Sequence, residues 1–178
     1  MFLKQFLLLT FFVAAYFISA GQKLSDDESQ LYDLVMAYRK SKGLPKIPLS
    51  RSLTFVAQTH AQDLEDNYER SNQCTCHSWS DQGDWKPVCY TADDVQAKLM
   101  WSKPRELTSY KGNGYEIAFA ENEEYLADAE HALKSWKLSQ PHNAVILNKD
   151  KWKRKWNAIG IGINGSYAVI WFGNEIDN

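Results

Sequence analysis

Apolar positions along the chain change period several times, and each change marks an element. Leu31, Leu34, Val35 and Tyr38 recur at helical spacing behind Ser25 and Glu28, a capping box in which the Ser hydroxyl takes a free backbone N–H and the Glu reaches back. The spacing predicts a helix from about Asp26 to Lys42, ended by Gly43, with Pro45 and Pro48 keeping the next stretch extended. Leu53, Val56, Ala57, Ala61 and Leu64 give a second helix with one apolar face, from about Ser52 to Asn67. His60 falls on that face, where a hydrogen-bonded core histidine is the simplest reading. From Ser71 to Tyr90 the pattern gives way to Ser, Asp, Gly, Cys and Trp, an irregular segment. Thr91 to Asp94 reads as a cap that opens a short helix to about Trp101, limited by Pro104.

The period then shortens to two. Tyr115 to Ala120 alternates as a strand after the Gly112-Asn113-Gly114 turn. An acidic stretch from Glu121 to Glu130 leads into a helix carrying Leu126, Ala129, Leu133 and Trp136, the acids forming its first turn and solvated face. Near the end, Ala158, Gly160, Gly162 and Asn164 alternate with Ile159, Ile161 and Ile163, and a second strand runs from Ser166 to Phe172. With Asn164-Gly165 between them, the two strands predict an antiparallel hairpin closed by a type I′ turn. A helix-rich beginning and a strand-rich end define the α+β class. Gly160-x-Gly162-x-x-Gly165 matches the dinucleotide-binding letters, but that motif must open a helix, and here a strand follows.

The first 20 residues follow none of these periods. Lys4 precedes the apolar run Phe6 to Ile18, broken only by Thr10, and Ser19, Ala20 and Gly21 close it, the pattern of a secretory signal peptide over residues 1–20. The run is shorter than the roughly 20 residues of a membrane-spanning helix. No second such run follows, so a single exported domain without a stable membrane span is expected over residues 25–178. Across all 178 residues, 20 Lys+Arg face 22 Asp+Glu, a net charge of −2. That balance argues against a dedicated nucleic-acid binder. Lys149, Lys151, Lys153, Arg154 and Lys155 interleave with Trp152 and Trp156, which read as a solvated loop whose tryptophans plug the core.

Export changes the meaning of the three cysteines. Cys89 is expected to pair with Cys74 or Cys76, closing a loop of about fifteen residues for which cross-linking contributes roughly 3 kcal/mol in the chain-entropy model. A metal cluster of Cys74, Cys76, His77 and Cys89 lacks the paired C-x-x-C spacing of structural zinc modules.

Three ionisable residues stand out by context. His77 lies in Cys76-His77-Ser78, Glu116 interrupts an apolar strand, and His142 follows Trp136-x-x-Ser139-x-Pro141. A carboxylate in a half-buried strand needs a partner, because an unpaired buried charge costs several kcal/mol. The two histidines are the obvious neighbours. A nucleophile built from Cys76 and His77 is disfavoured, since adjacent residues in an extended loop point apart and an oxidising compartment consumes the thiol.

Six stretches occur in order: Leu53-x-x-x-Ala57-Gln58-x-His60-Ala61; His77-Ser78; Gly114-Tyr115-Glu116-Ile117-Ala118; Trp136-x-x-Ser139-x-x-His142-x-x-x-Ile146-Leu147; Ile159-Gly160-Ile161-Gly162; and Ala168 to Gly173. Together they resemble the CAP superfamily of cysteine-rich secretory proteins, antigen 5 and pathogenesis-related proteins, whose domain is also called the SCP domain. The pattern around Trp136 and His142 is closest to bacterial-type members. The resemblance implies an α-β-α sandwich with a small antiparallel sheet between helical layers, and a cleft with two His and two Glu. By motif, His77 and His142 take the His positions and Glu116 the first Glu, while Ser139 stands in the cleft where the second Glu is expected. Two imidazoles and one carboxylate suffice as ligands for Zn²⁺ or another divalent metal with a position left open for water. The function expected from the resemblance is that of a monomeric binding or interaction module for a protein or apolar ligand. The alternative is a metal-assisted extracellular hydrolase, a peptidase or nuclease, for which the Glu missing at Ser139 removes the general base.

Overall fold

The computed structural model describes residues 23–70, 73–93, 95–122 and 124–177, so the expected signal peptide lies outside the described residues. Helix α1 (Asp26–Ser41) starts at the capping box: the Ser25 hydroxyl accepts from the Glu28 N–H, and the Glu28 carboxylate accepts from the Ser25 N–H. Helix α2 (Arg51–Asn67) is capped by Ser50, whose own hydroxyl donates to Asp177. Two short helices follow, α3 (Ala97–Trp101) and α4 (Lys103–Leu107). Strand β1 (Gly114–Ala120) is succeeded by α5 (Ala129–Leu138), α6 (Gln140–Ile146), a 3₁₀ turn (Asp150–Trp152) and the strands β2 (Ala158–Asn164) and β3 (Tyr167–Gly173).

The sheet has the order β1-β3-β2, antiparallel throughout, with Glu116 opposite Trp171 and Gly160 opposite the same residue on the other side. Alternation along the strands sends two sets of side chains to opposite faces. Ile117, Phe119, Ile159, Ile161, Ile170 and Phe172 pack against α1, α5 and α6, whereas Ala118, Ala158, Val169 and Trp171 pack against α2 and the 73–90 segment. This is the expected sandwich of helical layers around a small antiparallel sheet. Helix α2 lies so close to β2 that a Cβ at Gly160 would overlap the Leu53 carbonyl carbon, and one at Gly162 that of Ala57.

Two local expectations are corrected, and two helices appear that the sequence reading did not include. Thr91 bonds the Asp93 carboxylate locally, and the helix starts only at Ala97. The short helix ends at Trp101 as expected, and Pro104 then sits in the first turn of a separate helix, α4, where its missing N–H has no helical acceptor to lose. Pro141 does the same in α6, a helix that no apolar period announces. The β2–β3 turn is not type I′, which requires φ > 0 at both central residues: the loop is Gly165-Ser166, and only Gly165 is left-handed, at φ 51°.

Of the two pairings open to Cys89, the disulfide formed is Cys74–Cys89, leaving Cys76 as a free thiol. It ties down the irregular segment together with the Trp79–Val88 bridge. Among the described residues no helix is long and apolar enough to cross a membrane.

Candidate functional site

Glu116 sits in the middle of β1, an edge strand, with its side chain turned to the α2 face and fully buried. Its two oxygens have different partners. Oε2 lies 2.5 Å from His60 Nδ1, and Oε1 lies 2.7 Å from His77 Nδ1. His60 is carried by α2, seven residues after Leu53 on the apolar face, and its other nitrogen lies 2.8 Å from the Ser78 carbonyl oxygen. A carbonyl can only accept, and so can an ionised carboxylate, so both His60 nitrogens carry hydrogen and the ring is an imidazolium. The shifts agree in direction. Burial opposes the charge on His60, but Glu116 and the Ser78 carbonyl outweigh it and raise the pKa. Burial alone would raise Glu116; the charge and hydrogen bond of His60, helped by His77, bring it down to about 2.

Aromatic rings close over this pair. Trp79 stacks on His60 with ring centres 4.3 Å apart and planes 7° from parallel, and the buried Lys103 ammonium stands 5.2 Å from the Trp79 ring centre. Trp171 meets both Trp79 and His60 edge-on. Cations against an indole face are stabilised by the ring's negative quadrupole.

His77 is partly exposed, with 19% of its side chain accessible, and meets Tyr90 edge-on. His142 approaches from the opposite helical layer: it lies in the first turn of α6, whose orientation is fixed by the bond from Tyr38 Oη to Asn143 Oδ1. Its ring centre is 6.3 Å from that of His77. Burial, and then the neighbouring His77, lower the His142 pKa to about 4, so it is neutral at pH 7. Ser139 is the residue between α5 and α6 and makes no side-chain cap for the second helix. Cys76, beside this site, is a poor nucleophile, because burial first and then Glu116 push its thiol up to about 11.

The structure therefore brings His77, Glu116 and His142 into one neighbourhood and adds His60, for which the sequence predicts only a hydrogen-bonded core role. His60 is such a residue, and it is also the partner that Glu116 required. For a divalent ion, nitrogens are available on His77 and His142, but both Glu116 oxygens are taken by imidazoles. Among the described residues no group of three His, Cys, Asp or Glu side chains is arranged to hold a metal.

The model of the cysteine-rich secretory protein family, CAP, matches residues 32–168, and the chain belongs to that family. Solved bacterial structures share its fold. An outer surface protein of Borrelia burgdorferi has 16% identity and a TM-score of 0.57 over 86% of this chain and 96% of that one. An extracellular SCP-domain protein of Bacillus anthracis has 20% identity and a TM-score of 0.56 over 86% of this chain and 45% of that one. A cysteine-rich secretory protein of Staphylococcus aureus has 18% identity and a TM-score of 0.52, covering 86% of this chain and 40% of that one. The chain thus spans less than half the length of the last two. No curated protein is matched by sequence.

Proposed function

We propose that the chain acts outside the cytoplasm as a binding module, presenting the cleft between His77 and His142 to a protein or apolar ligand, rather than as a hydrolase. One observation carries this reading: Glu116 is shared by two imidazoles, one of them charged. A carboxylate that orients a histidine can make it a general base, as in hydrolytic triads. Here that carboxylate already pairs with the His60 imidazolium, so it is not reserved for orienting His77. Ser139 supplies no second carboxylate. The disulfide and the extracellular or outer-surface relatives of the same fold support an exported setting.

The second reading, a divalent ion such as Zn²⁺ on His77, Glu116 and His142, is favoured by the neutrality of His142 at pH 7. It requires one Glu116 oxygen to leave its imidazole. Two measurements decide. Casein and bis(p-nitrophenyl) phosphate are expected to be hydrolysed at the buffer rate by both the protein and its His77→Ala variant, with or without Zn²⁺. Calorimetric titration with Zn²⁺ is expected to give the same weak heats for the protein and for His142→Ala. Turnover or one-to-one Zn²⁺ binding that disappears in these variants would replace the binding reading by the metal-assisted one.

A further inference from the structure

Charge is sorted by position in this fold. Helix α1 opens with Asp26, Asp27 and Glu28 and closes with Arg39 and Lys40; α5 follows the Asp128 cap with Glu130 and closes with Lys137. The two helices pack together with their basic ends at one pole: the Lys137 and Lys42 ammonium groups lie 4.9 and 5.7 Å from the centre of the same Tyr38 ring. Buried Arg39 extends the pole by donating to the Ile146 and Pro45 carbonyls and, at 2.9 Å, to Asn148 Oδ1. It thereby holds the 149–155 loop beside the loop after α1. All five cations of that loop are exposed.

The nearby anions do not cancel them. Asp150, inside the loop, accepts from the Gln140 amide; among the described residues Glu175 pairs only with Arg154, at 3.6 Å between two well-exposed side chains; and Asp177 is engaged by Ser50 and Ser52 at the start of α2. Among the described residues Lys149, Lys151, Lys153 and Lys155 form no ion pair. Apolar side chains stand among these charges. Lys46 and Lys155 flank a shallow cavity of about 280 Å³ that Leu49 and Ile176 also line, and those two side chains are 46% and 69% exposed.

We propose that this pole docks the protein on an anionic lipid surface, with the 149–155 cations against the headgroups and Leu49 and Ile176 entering the interface. Each cation is attracted to such a surface within about a Debye length, and exposed aliphatic side chains add burial that a hydrophilic polyanion does not offer. The acidic helix starts at the other end favour one orientation in that field.

Cosedimentation with vesicles tests this, comparing roughly one-third phosphatidylglycerol in phosphatidylcholine with phosphatidylcholine alone. The ratio between the two isolates the pole from any contribution of the apolar run Phe6 to Ile18, which is common to every variant. The expected preference for anionic vesicles is about tenfold or more at low salt and shrinks as salt rises. Lys151→Glu with Lys153→Glu and Lys155→Glu is expected to abolish it. Leu49→Ser with Ile176→Ser is expected to weaken it severalfold at unchanged net charge, with circular dichroism confirming that both variants fold. No preference in the unmodified protein overturns the proposal. So does serine-variant binding equal to wild type together with full displacement by dextran sulfate, which would make the pole a site for hydrophilic polyanions.

Discussion

Glu116→Ala is expected to lower the unfolding free energy by about 3–5 kcal/mol, because it leaves the His60 imidazolium buried without its counter-charge. Glu116→Gln is expected to cost less, since the amide oxygen still accepts from His60 and no cavity opens. The pH dependence identifies the cause. Glu116 is depressed from 4.5 to about 2, so its stabilisation is present above 4.5 and is lost as pH falls through 2. The His60 pKa is raised, so its contribution is complete below 6.5 and is lost as pH rises through the elevated value. The gap between wild type and Glu116→Ala should therefore be widest from about 4.5 to 6.5 and narrow on the acid side. Urea denaturation across that range measures it. A gap below about 1 kcal/mol at every pH would show that Glu116 and His60 are not a buried ion pair.

Gly160→Val is the second large expected effect. Helix α2 rests on β2 through two glycines, with Leu53 over Gly160 and Ala57 over Gly162, so that one turn of helix spans two residues of strand. The atoms a new side chain meets are backbone and cannot rotate away. Overpacking a core typically costs 1–3 kcal/mol, and forcing a helix off a sheet is expected to cost about 3 kcal/mol or more. Thermal unfolding should show Gly160→Val unfolded or strongly destabilised. Gly43→Asn, at φ 73° with open space around it, should melt close to wild type. A Gly160→Val protein with an unchanged midpoint would refute the close approach.

What the sequence disclosed about this molecule was mostly local. The capping box of α1, the apolar face of α2 and the alternation of β2 are each written within a few residues, and each forms as expected. Helix α6 was hidden because Ser139 and Pro141 look like linker residues, although Pro fits the first turn of a helix. Glu116 could be recognised as a carboxylate in need of a partner. Which partner it has was not legible, because His60 lies 56 residues away and only the docking of α2 on the sheet brings the two together. The same separation explains why the metal expectation included Glu116: motif order shows that His77, Glu116 and His142 share a neighbourhood, but not that the carboxylate is occupied from below.

The strand order has a consequence for how the chain acquires its structure. β3 is the middle strand, yet it comes last among the elements, so neither β1 nor β2 has a partner until residues 167–173 have been made. A growing chain can form α1 and α2 early, but their apolar faces have no sheet to cover until synthesis reaches that point. Such a chain keeps its sheet open, and both apolar faces of that sheet unbuilt, while most of it is being made.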